Sequence, residues 1–261
     1  MFTITITNKS LIDEGDIIGS IKKINADIHK TYNEHVKIDS QELMSIAIIN
    51  NINCPLIPDL SFIPKSVTSL VLIENRYFFN LDMPDKDIME LSKSYIDANT
   101  KSCLQLENLV MHCMKYPPLD IDKLTYIISL TTSFKLISKL PKLEDLTLVA
   151  IVDKKKKMIE SHKLIPWILS SVDIPDIPIK PKHGITFINF SSSQILSLDL
   201  SGIQIVSVVN FKERNENPFY IIGDIGQAYY HGCVVEAEKT TNIKEMDSRE
   251  PFLMIWKMYY A

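Results

Sequence analysis

Short apolar bursts of one shape recur along the middle of the chain, and they constrain its fold more than any other feature. Three are closely alike: Val67-Thr-Ser-Leu70-Val-Leu72, Leu106-Glu-Asn-Leu109-Val-Met111 and Leu143-Glu-Asp-Leu146-Thr-Leu148, each reading apolar-x-x-apolar-x-apolar. Carried through the gaps, the frame gives units beginning at Ile46, Val67, Ile88, Leu106, Leu124, Leu143, Leu164, Ile185 and Ile203, 18 to 21 residues apart. The fourth place of every unit is apolar: Ile49, Leu70, Leu91, Leu109, Ile127, Leu146, Trp167, Ile188 and Val206. A unit this short cannot bury its apolar side alone, so it must stack on similar units before and after it.

The pattern resembles the leucine-rich repeat, whose unit runs Leu-x-x-Leu-x-Leu-x-x-Asn. The resemblance covers residues 46–211. It implies an α/β solenoid with an N-terminal αβ cap over 1–45 and a β-rich C-terminal cap over 212–261. The asparagine of the family is nearly missing. Asn75 stands at the ninth place and Cys54 is the accepted substitute, but Ile96, Met114, Thr132, Ile151, Val172, Ser193 and Phe211 fill the others. Backbone groups in the turns must therefore find other hydrogen-bond partners.

The resemblance also implies a function, binding of another protein through a concave sheet face. Fourth and sixth places point into the core, and third, fifth and seventh places point outward. On that reading the partner-binding residues are Asn108, Val110, His112, Tyr126, Ile128, Asp145, Thr147, Phe187 and Asn189, with an apolar centre at Val110, Tyr126 and Ile128. Strands apolar on both faces equally mark a sheet that is covered on both sides.

Local signals add to this frame. Phe2, Ile4 and Ile6 alternate with three threonines, as in a half-exposed strand. Ser10, with Asp13 three residues on, reads as the cap of a helix carrying Ile18, Ile21 and Ile28. Pro84-Asp85 before Ile88, Leu91 and Tyr95 reads as a helix capped at Asp85, in competition with a repeat strand at Ile88. Residues 174–184 are proline-spaced and read as a linker or the back of one repeat. Beyond them, strands are expected at 185–190, 195–200, 203–209, 218–222, 228–236 and 252–260. Read without the repeat, these make an antiparallel second domain, giving an alternative: a two-domain, mostly-β, sandwich-like protein that self-associates, as viral matrix proteins do.

With 46% apolar and 23% charged residues, 261 residues suffice for one large domain or two small ones. The net charge is −4 and there are three arginines, Arg76, Arg214 and Arg249, which disfavours a nucleic-acid partner. Cys54, Cys103, Cys113 and Cys233 form no Cys-x-x-Cys pair, so neither a metal finger nor a disulfide framework is expected. The alternating N-terminus is not a secretory signal, no apolar run is long enough to span a bilayer, and the expected location is the cytoplasm. Lys154–Lys157 reads as a solvated turn, Gly223-Asp-Ile-Gly226 as a turn rather than a phosphate loop, and Asp120 and Asp122 as caps. His112-Cys113 would be catalytic only if folding completed a triad around it. No catalytic signature, cofactor motif or metal motif stands out. The expected partner is another protein, or a second copy of the chain.

Overall fold

The structure, a computed structural model, describes residues 2–8, 16–35, 43–50, 54–74, 85–112, 114, 116–132, 140–149, 181–188, 200–209, 219–237, 239 and 242–247. It is α/β and has two compact units, Met1–Ile127 and Ile128–Ala261, divided inside the span read as repeats. The units at Leu164, the Lys154–Lys157 run, residues 174–180, Glu213–Asn217 and the strand expected at 252–260 lie outside the described residues.

In the first unit, β1 (Phe2–Asn8), β2 (Leu43–Asn50), β3 (Ser69–Glu74) and β4 (Asn108–His112) pair in sequence order, all parallel. In β1 the alternation decides the faces: Ile4 and Ile6 are buried, Thr5 and Thr7 exposed. Helix α1 (Ile17–His35) buries Ile21, Ile24, Ile28 and Tyr32 along one stripe and packs against β1. Its cap is Asp16, whose carboxylate accepts the Gly19 N–H at 2.8 Å, and not Ser10 as the sequence frame had it. Helix α2 (Asp85–Ser102) occupies the place of the repeat unit at Ile88, so the Pro84-Asp85 signal prevails there.

Register aligns Ile46 with Leu70, and Leu70 with Leu109. The units at Val67 and Leu106 thus stand as read, while β2 is displaced by three residues, with Leu43 at the first place and Ile46 at the fourth. Leu43, Ile46 and Ile49 are all apolar at intervals of three, so the pattern fits either frame. An odd displacement exchanges the two faces of a strand, and Ile49 lands on the opposite face from Ile46.

The two faces differ consistently. Ile46, Ile48, Leu70, Leu72, Leu109 and Met111 are 0% exposed, whereas Ala47, Val71 and Val110 between them keep 3%, 5% and 7%. The strand centres are therefore buried on both faces, and the second face opens only toward the strand ends, at Ser45, Ser69 and Asn108 and at Ile49, Ile73 and His112.

Helix asparagines supply hydrogen-bond partners to the backbone of the turns. The stretch Cys54–Ser66, between β2 and β3, lies between α1 and α2. Asn25 of α1 donates to the Ile57 carbonyl and accepts the Asp59 N–H, both at 3.0 Å. Asn99 of α2, fully buried, accepts the Leu60 N–H at 2.7 Å and donates to the carbonyls of Pro58 and Pro118 at 2.8 Å each. Asn50 reaches the Cys54 carbonyl at 2.6 Å, and the Thr100 hydroxyl accepts the Asp120 N–H at 2.8 Å.

In the second unit, β5 (Ser129–Thr132), β6 (Asp145–Val149), β7 (Gly184–Ile188), β8 (Ile205–Val209), β10 (Gln227–His231) and β12 (Ile243–Glu245) form a parallel sheet in that order. Strands β9 (Phe219–Ile221) and β11 (Val235–Ala237) pair with each other, also in parallel. From β8 onward successive strands alternate between the two sheets. The antiparallel second domain is thereby corrected: every described strand pair is parallel. The strand expected over 228–236 is two strands in two sheets, because Gly232, at φ 66°, turns the chain between them. Gly223-Asp-Ile-Gly226 is the turn from β9 to β10 and precedes a strand, not a helix.

Asn99→Ala strips partners from one buried N–H and two buried carbonyls. It is expected to lower unfolding free energy by about 3 kcal/mol with the m-value unchanged, measured by urea denaturation.

Candidate functional site

The sheet face that carries the third, fifth and seventh places is the candidate site, and in the first unit its composition follows from register. Across β2, β3 and β4 the fifth places are Ala47, Val71 and Val110, and the seventh places are Ile49, Ile73 and His112. Ser45, Ser69 and Asn108 line the N-terminal edge at the third places. Ile49, Ile73 and His112 are half-buried, Ser45 and Ser69 likewise, and Asn108 is exposed. The result is a flat patch of small, mostly β-branched aliphatic groups bordered by hydroxyl and amide groups. Thr5 and Thr7 of β1 extend the polar border on the other side, in register with Ala47 and Ile49.

Of the residues assigned to the face from sequence, Asn108, Val110 and His112 lie on it together in β4. Tyr126, 51% exposed, sits in a turn of the first unit and not in a strand. Ile128 lies in the bend that opens the second unit, where its carbonyl accepts the Glu144 and Asp145 N–H groups at 2.8 and 3.2 Å. Asp145 is exposed and Thr147 buried, both in β6. Phe187 needs correction: it is 0% exposed and points into the core of the second unit. Asn189 lies outside the described residues.

The displaced residues share one cause. Leu146 aligns with Leu130 on one side and with Ile185 on the other, three residues from Ile127 and Ile188, which the sequence frame had paired with it. The third and fifth places of β5 are thus Ser129 and Thr131, not Tyr126 and Ile128, and those of β7 are Gly184 and Thr186, not Phe187 and Asn189. Phe187 becomes a sixth-place residue, on the core side. Shifting the apolar triplets by three residues, back to Leu43 in β2 and forward to Ile127 in β5, would have placed Ala47 and Thr131 on the face.

With register corrected, the fifth places of the second unit form one row of hydroxyls: Thr131, Thr147, Thr186 and Ser207 on four adjacent strands. The fifth places of the first unit are aliphatic instead. At the N-terminal edge, Asp145 holds the His183 ring by a 2.8 Å contact to Nδ1. Gly184, in register opposite Asp145, leaves room for it, since a Cβ there would stand 2.8 Å from the carboxylate oxygen. Both partners of the pair are exposed, so it fixes local geometry more than it stabilises the fold.

Nucleophilic chemistry finds little support at the described thiols. Burial pushes the Cys54 thiol up to about 12, with the charge of Glu74 adding to it. Burial alone raises Cys103 to about 12. Cys233 is raised to about 11 by burial, against a smaller opposing hydrogen bond to the His231 carbonyl. Such thiols stay protonated near neutrality and are poor nucleophiles and poor metal ligands. Cys113 lies outside the described residues. Among the described residues no group of three or more His, Cys, Asp or Glu side chains is arranged to hold a metal ion, and no helix is long and apolar enough to cross a membrane. The chain matches no protein-family model, no curated protein and no solved structure.

At pH 8, Cys54, Cys103 and Cys233 are expected to resist iodoacetamide in the folded protein and to react in denaturant, as read by peptide mass mapping. Because the folded thiols ionise later than the unfolded ones, their stabilising contribution is complete below pH 9 and lost as pH rises toward about 12. The urea midpoint should accordingly fall above pH 9, and less steeply in Cys103→Ala.

Proposed function

We propose that the chain is a non-enzymatic protein-binding module, an irregular solenoid of the leucine-rich-repeat kind that docks another protein through the sheet face that carries Ile49, Ile73, Asn108 and His112. The observation that carries this reading is the partly open rim of that face in the first unit, Ile49, Ile73 and His112 with Ser45, Ser69 and Asn108, around a buried aliphatic row, Ala47, Val71 and Val110. Parallel strands paired in sequence order support a repeat architecture. A flat apolar centre with a hydroxyl and amide border suits a protein surface, which supplies both apolar contact and hydrogen-bond partners. The partner it fits presents a flat or gently convex apolar patch. It needs no cofactor and no metal.

Ile73→Lys places a charge on the same face at a half-buried position and leaves the face of Leu70 and Leu72 untouched. Its urea transition should stay cooperative, with stability lowered by about 1 kcal/mol. A partner captured by the wild-type protein from cells should be lost. A photo-crosslinking residue at position 73 should join to that same partner, while one at the exposed Leu104, in the α2–β4 connection, should not. Retention of the partner by Ile73→Lys, or equal crosslinking from both positions, would remove this face from the interaction.

A further inference from the structure

Strand β1 is the outermost strand of the first unit's sheet, and among the described residues it pairs with β2 and with no other strand. Sheet edges are templates for further pairing, and proteins that avoid it shorten the edge strand, charge it or interrupt it with proline. The outer strand of the second unit's sheet, β12, is guarded in this way: it has three residues, Ile-Lys-Glu, and both charged ones are exposed. β1 has none of these guards. It runs seven residues, Phe-Thr-Ile-Thr-Ile-Thr-Asn, with neither charge nor proline.

The sequence of this edge is also self-complementary. Thr3-Ile4-Thr5-Ile6-Thr7 reads the same in both directions. A two-fold axis perpendicular to a sheet reverses strand direction, so two copies joined edge to edge pair antiparallel. With the axis at Thr5, Thr5 meets its own symmetry mate, Ile4 meets Ile6 and Thr3 meets Thr7. The isoleucines then fall together on the buried face and Thr5 and Thr7 together on the exposed one, as in β1 itself. A strand from an unrelated protein gains nothing from this symmetry, and an isologous contact closes after two copies.

We propose that β1 is a self-pairing edge that joins two copies of this chain through an antiparallel β1–β1 ladder centred on Thr5. The contact uses the edge of the sheet, so it stands independently of the binding face proposed above.

Sedimentation equilibrium of the full chain over a concentration series should show a monomer–dimer equilibrium with no larger species. Thr5→Lys and Thr5→Glu each set like charges directly opposite across the axis and should weaken the dimer about ten-fold or more, with unchanged circular dichroism. An equal mixture of the two should restore it as a dimer holding one copy of each. Thr5→Cys brings two thiols to cross-strand distance, so mild oxidation should link that variant to itself, whereas Thr7→Cys, opposite Thr3, should stay unlinked. Recovery on mixing, together with position-specific linking, supports the proposal. A wild-type monomer at every concentration overturns it, as does a dimer indifferent to both charges or a Thr5→Cys dimer that does not link. If the charged variants misfold, the disulfide result alone decides.

Discussion

The first unit depends on how the backbone of one proline-bearing stretch is satisfied. Between β2 and β3 the chain makes no helix, so its N–H and C=O groups lie buried without the self-sufficiency that a helix provides. Asn25, in the middle of α1, and Asn99, in the last turn of α2, supply the missing donors and acceptors from either side. An asparagine inside a helix is a poor helix former, and α1 accepts that weakness. Both helices are thereby tied to the turn rather than merely resting on it. Asn99 also holds the Pro118 carbonyl, so three successive connections are fastened together. The leucine-rich-repeat family meets the same need within each repeat, whereas here it is met between connections.

Much of this was legible in the sequence, and the remainder failed for definite reasons. Leu70, Leu109, Leu146 and Val206 mark strands whose fourth-place residues point inward, and the parallel sheets align them as the burst pattern required. Three other units were displaced by three residues: Leu43, Ile46 and Ile49, and Leu124, Ile127 and Leu130, make both frames equally apolar, while at β7 the observed frame puts Lys182 at the first place and Ile185 and Ile188 drew the reading three residues on. A slip of three is harmless in a helix, where it nearly preserves the face, but in a strand it inverts the face. The assignment of Phe187 to the surface came from that ambiguity. The helix that begins at Asp85 was legible because its apolar spacing is local. The asparagine bridges were not, since nothing near Asn99 in sequence reveals that its partners are Pro58, Leu60 and Pro118.

The corrected register also separates the two units chemically. The fifth places are Ala47, Val71 and Val110 in the first unit, and Thr131, Thr147, Thr186 and Ser207 in the second. Valine and threonine are nearly the same shape, so the backbone barely registers the exchange while the surface chemistry changes from apolar to hydrogen-bonding. Threonine hydroxyls on adjacent strands can satisfy one another, which lets such a row sit almost buried without penalty.

Register also governs what the chain can tolerate over time. Leu70 and Leu109 are neighbours in register though a whole helix separates them, while Ile185 and Val206 are neighbours across a far shorter path. Loop closure grows only slowly more costly with length, so residues added between strands change little in stability. Strand spacing and register are fixed by the ladder whatever the length of the connection. Insertions and deletions are therefore absorbed between strands, while the strands themselves evolve by single substitutions on a lattice of constant pitch.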